Sequence, residues 1–532
     1  MKAGISRKKL SVNMSFRRIV YSICFCFFCV IDQRVRTAYG TSGWLETFRD
    51  LTGTVMAIII LSHYKFSDFQ RRKIPYLVWS AAGGSAAVLA FIWGIYNQRC
   101  LKDWFVILLD IFLFGFIVIH IVIDLAVEKK RVKLNKNIAV LWFLMLLVMI
   151  FSRSRLVWPF CYLVMFGCFY LTDYDRDELE DLFQGTLNGF ILGFFIIQGL
   201  AFVFRPYDEV RYRGLYYNTN SNAFFYLEVL AALLTKLLYV ARVGAAKWYR
   251  GFYWLMSGAV LAFIFMTVGR NGWVNAFLLV VLFLWAGKKT GVGKRIVRRF
   301  LLLGLCASLI FPACFGAARY LPPLFHHPVW FGAEWSESKV HSWDPWDSEK
   351  YVSLEEFMDF AVGRFLGSIR IMLERSPFLI HSDAAGVDAV IELPEDDSGE
   401  SMELRMEIYR CYISRLNLWG NSKINEEGWG YHGHNILLQY GTDFGLIALA
   451  LFLAVYLWNL IWLFCKFLQS KEERYIGYLF FSLITLLYGM LDCSWGAGSL
   501  GTLMMFFAWG ETVRDENPFP VLTGTQKDAK IT

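Results

Sequence analysis

Apolar runs long enough to cross a bilayer recur from residue 17 to residue 512, and a chain built that way has few options. Hydrocarbon offers no partners to backbone N–H and C=O groups, so such runs fold as helices that satisfy them internally. Each crossing needs about 20 mostly apolar residues. Fourteen segments meet that pattern: 17–31, 44–64, 75–96, 104–124, 137–152, 156–172, 183–204, 218–241, 251–268, 272–287, 299–318, 436–465, 475–491 and 495–512. The expected fold is an all-α polytopic membrane protein with about 14 transmembrane helices. A hydrophobic fraction of 56%, a mean hydropathy of +0.43 and 18% charged residues exclude an ordinary soluble globule. The first run has an apolar core, Ile19 to Ile31, as short as that of a signal peptide. No small-residue cleavage site follows, so it is kept as a span.

Lys and Arg resist translocation, so their distribution sets the orientation. With both termini cytoplasmic, the inner segments hold 31 basic residues and the short outer loops 10. The net charge of +8 is thus mostly an inner-face property, with no sign of nucleic-acid binding. The two faces also differ in kind: inner segments carry 17 Lys and 14 Arg, outer short loops nine Arg and one Lys. A guanidinium fork matches phosphate oxygens bidentately, which an ammonium does not. Snorkelling to headgroups is the competing explanation for any one of these arginines.

Residues 319–433 form one large loop on the outer side, with 20 acidic and 10 basic residues. Ser353-Leu-Glu-Glu356 is a capping box, predicting a helix to about Glu374, and a second helix is expected from Met402 to Leu418, stopped by Gly420. The acidic turn Glu395-Asp396-Asp397 lacks a second spaced ligand group, so no metal is assigned to it. Most of the 11 cysteines fall inside spans, without zinc spacing, and read as small apolar residues. Ionisable groups within spans (Asp110, His120, Asp124, Glu228 and Lys236) are expected to pair internally and fix helix packing rather than to line a transport path.

Three short segments on the outer side carry chemistry. Arg213 lies in Arg211-Tyr-Arg-Gly-Leu-Tyr-Tyr-Asn-Thr-Asn-Ser-Asn222, Arg270 in the turn Gly269-Arg-Asn-Gly272, and His434 in Tyr431-His-Gly-His-Asn435. An apolar helix follows each, and helix N-termini present unpaired N–H donors with partial positive charge. Together they suggest a grip on a lipid-linked phosphate. His434 is the candidate base, with His432 its competitor; a role confined to capping the span is the bland alternative for His434.

These segments, with Arg405-Met-Glu-Ile-Tyr-Arg-Cys-Tyr-Ile-Ser-Arg-Leu-Asn-Leu-Trp-Gly420 and His434-Asn-Ile-Leu-Leu-Gln-Tyr-Gly-Thr-Asp-Phe-Gly445, resemble the O-antigen ligase and O-antigen polymerase family of multi-span membrane glycosyltransferases. The resemblance covers residues 184 to 510 in order. Thr219 departs from it, standing where the family usually has proline. The resemblance implies a GT-C-like architecture divided as 1–183 N-terminal helices, 184–318 and 434–512 the two parts of the core, 319–433 the outer loop and 513–532 a cytoplasmic tail. It implies a metal-independent, inverting glycosyltransferase of the bacterial cytoplasmic membrane, without cofactor, whose donor is an oligosaccharide on an isoprenoid diphosphate. His434 would take the acceptor's proton, and Arg213 and Arg270 would bind the diphosphate. Arg211, Asn220, Asn222, Arg405, Arg410, His432 and Asn435 would support them. The Arg405 to Gly420 segment favours a polymerase of surface polysaccharide over a ligase. The lipid bilayer, a flippase and a chain-length regulator are the expected partners. A non-enzymatic flippase is the alternative from another class, which the 115-residue outer loop argues against.

Overall fold

The computed structural model describes residues 15–31, 36–37, 58–96, 112, 115–129, 134–152, 157–172, 174–204, 207, 210–216, 219–291, 296–325, 329–330, 352–374, 407–420, 434–490 and 500–515. Among them the chain is helical apart from a two-residue antiparallel pairing of Arg36 with Trp330 and Thr37 with Val329. The helices are α1 Phe16–Ile31, α2 Phe66–Arg71, α3 Lys73–Tyr96, α4 Gly115–Val127, α5 Lys136–Phe151, α6 Val157–Tyr170, α7 Arg176–Phe204 and α8 Thr219–Arg242. They continue with α9 Lys247–Met266, α10 Arg270–Lys289, α11 Ile296–Phe325, α12 Leu354–Glu374, α13 spanning 407–414, α14 Ile436–Phe444, α15 Leu446–Ser470, α16 Glu473–Gly489 and α17 Leu500–Arg514. Six of the described helices, α7 to α11 and α15, are long and apolar enough to cross a membrane.

α8 is the central post, buried on all sides from Asn222 to Leu238. It packs against α7, α9, α10 and α16, and its Ala-Leu run lets neighbours approach from every direction. The bundle's outer surfaces are apolar too: α11 leaves Val297, Leu301, Leu305 and Leu309 exposed, a side facing lipid instead of water.

α1 docks along α7 through a stripe of glycines four residues apart. A Cβ on Gly185 would stand 2.5 Å from the Cβ of Tyr21, one on Gly189 2.5 Å from that of Phe25, and one on Gly193 2.8 Å from that of Cys29. Lipid supplies no hydrophobic force between helices, so close backbone approach and van der Waals contact hold such a pair.

Ion pairs gather at the end of the bundle opposite the functional segments. Arg18 donates to Asp181 at 2.9 and 2.7 Å, Arg242 pairs with Glu473 at 2.6 Å, and Arg474 with Glu511 at 3.3 Å. Lys236, deep in α8, donates to Gln184 Oε1 at 2.5 Å. This hydrogen bond thus runs to α7, not to Glu228 two turns away on its own helix. His120 and Asp124 both meet Arg72, which also donates to Glu128 at 2.9 Å. Asp110 lies outside the described residues.

The loop's first helix forms as its capping box dictates. Glu356 N donates to Ser353 Oγ at 3.0 Å, Ser353 N to Glu356 Oε2 at 3.5 Å, and α12 runs to Glu374. The apolar run 436–465 is not one helix but two. It breaks at Gly445, whose φ of +94° favours glycine, because the α15 entry turn interlocks with the turn that ends α13. Leu446 N donates to Asn417 O at 2.9 Å, and a Cβ on Gly445 would run into the Leu418 carbonyl. A sliding apolar count cannot register such a break, since both sides of it are hydrophobic.

Candidate functional site

Four helix starts and ends meet at one end of the bundle, and hydrogen bonds join them. The segment before α8 is pinned by Tyr212, whose N–H donates to Met266 O at 2.9 Å and whose hydroxyl accepts from Gln198 Nε2 at 2.8 Å. Gln198 Oε1 in turn accepts from the Tyr226 hydroxyl at 2.7 Å. With Tyr212 buried, Arg211 and Arg213 are left half-buried on either side of it. Arg211 Nε donates to Thr267 O at 3.3 Å, and its Nη2 to Asn220 Oδ1 at 3.5 Å. Asn222, fully buried, donates to Tyr212 O at 3.4 Å, and Gly214 turns beside it with φ +56°.

α9 and α10 are joined by only three residues, Thr267 to Gly269. Val268 takes φ +47°, a conformation that a β-branched residue rarely adopts and that costs on the order of 1–3 kcal/mol. The tight link makes Arg270 the first residue of α10 rather than part of a preceding turn, at the end of the helix where N–H groups lack intrahelical partners. Arg270 is half-buried. A Cβ on Gly269 would lie 3.9 Å from Asn220 Oδ1, and one on Gly272 3.1 Å from the Cβ of Ala223. The starts of α8 and α10 are therefore in contact.

The end of α16 ties these starts to that of α14. The Tyr488 hydroxyl donates to Asn220 O at 2.5 Å, and Asn271 Nδ2 donates to Tyr488 O at 3.4 Å. Two residues on, Met490 O accepts from Asn435 Nδ2 at 3.0 Å. Asn435 is also the N-cap of α14, its Oδ1 accepting from Leu437 N at 2.9 Å and Leu438 N at 3.2 Å. The capping role is thus filled by Asn435 and not by His434. His434 precedes the cap with φ +45°, and its carbonyl accepts from the Tyr409 hydroxyl of α13 at 3.2 Å.

The structure brings Arg211, Asn220, Asn222 and Asn435 into one bonded network, with Arg270 adjacent to the bonded Asn271, Arg213 two residues from Arg211 and His434 adjacent to Asn435. Arg410 is exposed on α13, one residue from the Tyr409 that holds His434. Arg405, His432 and the acidic turn at 395–397 lie outside the described residues. Tyr488, Asn271 and Tyr409 join the network without having been singled out in the sequence. Asn271 and Tyr409 carried a signal, their places inside the Gly269 to Gly272 turn and the Arg405 to Gly420 segment; Tyr488 carried none. Val268 and His434 are two of the four non-glycine residues with positive φ among those described, and each immediately precedes the N-cap residue of a helix of the network, Gly269 and Asn435. Strain held in this way needs the surroundings to over-determine it.

The class of protein this defines is a helical, membrane-embedded one with a cationic, amide-rich end. No family model, curated protein or solved structure matches the chain.

Proposed function

We propose that this chain is a polymerase of surface polysaccharide repeat units, a metal-independent glycosyltransferase of the bacterial cytoplasmic membrane. It moves a glycan from an isoprenoid diphosphate to an acceptor sugar hydroxyl on the outer side. The fourteen-span topology, with both termini cytoplasmic and the 319–433 loop outside, belongs to this reading.

The observation that carries it is the joining of four helix ends around Arg211, Arg270 and Asn435 by the Tyr488, Asn271 and Arg211 hydrogen bonds. Segments far apart in sequence, each read as an anion or proton-transfer site, share one end of the bundle. In the reaction the acceptor hydroxyl attacks the anomeric carbon and its proton passes to His434. The anomeric C–O bond breaks and its electron pair leaves with the lipid diphosphate. Arg211, Arg213, Arg270 and the N–H groups at the start of α10 offset the charge that gathers there. The opposite end, with its Arg18–Asp181 and Arg242–Glu473 pairs, is the end sorted to the cytoplasm by the Lys and Arg count.

Deletion of the gene followed by a glycan length profile tests the assignment. Single repeat units left on the isoprenoid carrier support the polymerase. Full-length chains left on the carrier would instead mean a ligase, and repeat units retained on the inner leaflet a flippase.

A further inference from the structure

Residues 229–333 contain no Asp or Glu, and six of their cations lie at the end of the bundle opposite the candidate site. Lys247 and Arg250 belong to the first turn of α9, Lys288 and Lys289 close α10, and Arg298 and Arg299 lie in the first turn of α11. Two close approaches put them in one place. A Cβ on Gly258 of α9 would stand 2.7 Å from the carbonyl carbon of Cys306 on α11, so these two parallel helices nearly touch there. Arg250 and Arg298 each lie eight residues before that contact, about 12 Å back along the axis, and so stand at one level. A Cβ on Gly287 of α10 would meet Arg299 Nη1 at 2.6 Å, which lays that guanidinium across the last turn of α10, immediately before Lys288 and Lys289.

Elsewhere at this end the bundle neutralises its charges. Glu178, Asp181, Glu473 and Glu511 pair in turn with Arg17, Arg18, Arg242 and Arg474. Lys247, Lys288, Lys289 and Arg298 are all exposed, and no carboxylate among the described residues pairs with them. Like charges gathered this way repel one another, and a phosphate seated between them turns that repulsion into attraction. Trp248 and Tyr249 stand on the same rim, exposed and with rings stacked at 3.7 Å, the aromatic companions that mark headgroup level. Directly beneath, Phe252 and Leu255 of α9 and Phe300 and Leu301 of α11 are exposed to lipid. A cationic rim above an apolar wall fits a phosphodiester head with acyl chains attached, and fits a soluble polyanion poorly.

We propose that this rim binds the phosphates of anionic phospholipids in the leaflet it borders, and binds lipids with two phosphates, of the cardiolipin class, most tightly. The site is separate from the polymerase reading, since binding there needs no turnover. Native mass spectrometry of the purified full-length protein, titrated in detergent with cardiolipin, phosphatidylglycerol or phosphatidylcholine, reads the binding directly. The wild type should hold cardiolipin about ten-fold or more tighter than phosphatidylcholine, and added salt should weaken it. Lys288→Gln, Lys289→Gln and Arg298→Gln combined should weaken cardiolipin binding roughly 100-fold, because each cation near an anionic surface contributes about five-fold. All three side chains are exposed, so this variant should melt within about 2 °C of the wild type without added lipid. Lys73→Gln, Lys136→Gln and Lys471→Gln combined remove the same charge from exposed positions at the same end of the bundle, and should change cardiolipin binding less than about three-fold because charges away from the rim are screened.

Equal weakening by the two triple variants would reduce the rim to an effect of net charge and overturn the proposal. Cardiolipin binding that survives the rim variant would overturn it too, as would a wild type that holds phosphatidylcholine as tightly as cardiolipin. Displacement of cardiolipin by an equal concentration of a short oligonucleotide would reassign the rim to a soluble polyanion.

Discussion

Replacing His434 with asparagine separates catalysis from architecture more cleanly than any other change at this site. His434 adopts φ +45°, and asparagine is among the residues that tolerate that region best. The cap of α14 belongs to Asn435, and the Tyr409 bond reaches the backbone carbonyl of residue 434, so both survive the substitution. The stability change should stay under about 1 kcal/mol, whereas alanine would add the left-handed penalty of about 1–2 kcal/mol. A general base contributes roughly 10²- to 10⁴-fold, or about 3–5 kcal/mol of transition-state stabilisation. His434→Asn should therefore reach wild-type levels in the membrane, melt within about 2 °C of wild type in detergent and lose at least 100-fold in polymerisation of lipid-linked repeats. Asn435→Ala should do the reverse. It removes two cap bonds and the Met490 tether, costs on the order of 1–3 kcal/mol, and lowers melting temperature and yield together. Polymer from His434→Asn within three-fold of wild type would refute the base assignment and move the search to His432.

Other outcomes follow from the same geometry. Arg213→Ala and Arg270→Ala should each abolish polymer, lysine should restore only part of it because the bidentate fork is lost, and the double variant should be little worse than either single; normal-length polymer from both alanine variants would remove the phosphate clamp. Gly189→Leu should detach α1 from α7 and cut membrane accumulation several-fold, because even a Cβ there would stand 2.9 Å from the Ser22 carbonyl, while Gly199→Ala, with nothing near its Cβ, should be silent; equal accumulation of the two would contradict the glycine-stripe packing. A cysteine at exposed Glu355 of α12 should react with an impermeant maleimide in intact cells, and one at exposed Lys247 only after lysis; the opposite pattern would invert the topology.

Much of the fold was legible where a local rule decides. The Ser353 to Glu356 box placed the start of α12, and most apolar runs became helices within a few residues of their expected ends. The α14–α15 break was not, because Gly445 is demanded by a turn 25 residues upstream that the apolar pattern does not report. At the candidate site, Arg213, Arg270 and His434 stood out through charge beside helix starts. Tyr488 did not, since a tyrosine closing an apolar helix looks the same whether it faces lipid or, as here, bonds a carbonyl 268 residues away. Asn435 is marked as the cap by its residue type alone, and that leaves His434 free of the capping role.

The central claim, that this chain itself joins glycans from an isoprenoid diphosphate, is tested most directly by reconstitution. Purified protein in proteoliposomes, supplied only with isoprenoid-diphosphate-linked repeat units and chelator, should convert them into a ladder of longer lipid-linked glycans. It should release one isoprenoid diphosphate per linkage formed, and His434→Asn vesicles should leave the single repeats unchanged. Single repeats persisting with the wild-type protein, at a density where the lipid is accessible on the site-bearing side, would contradict the account.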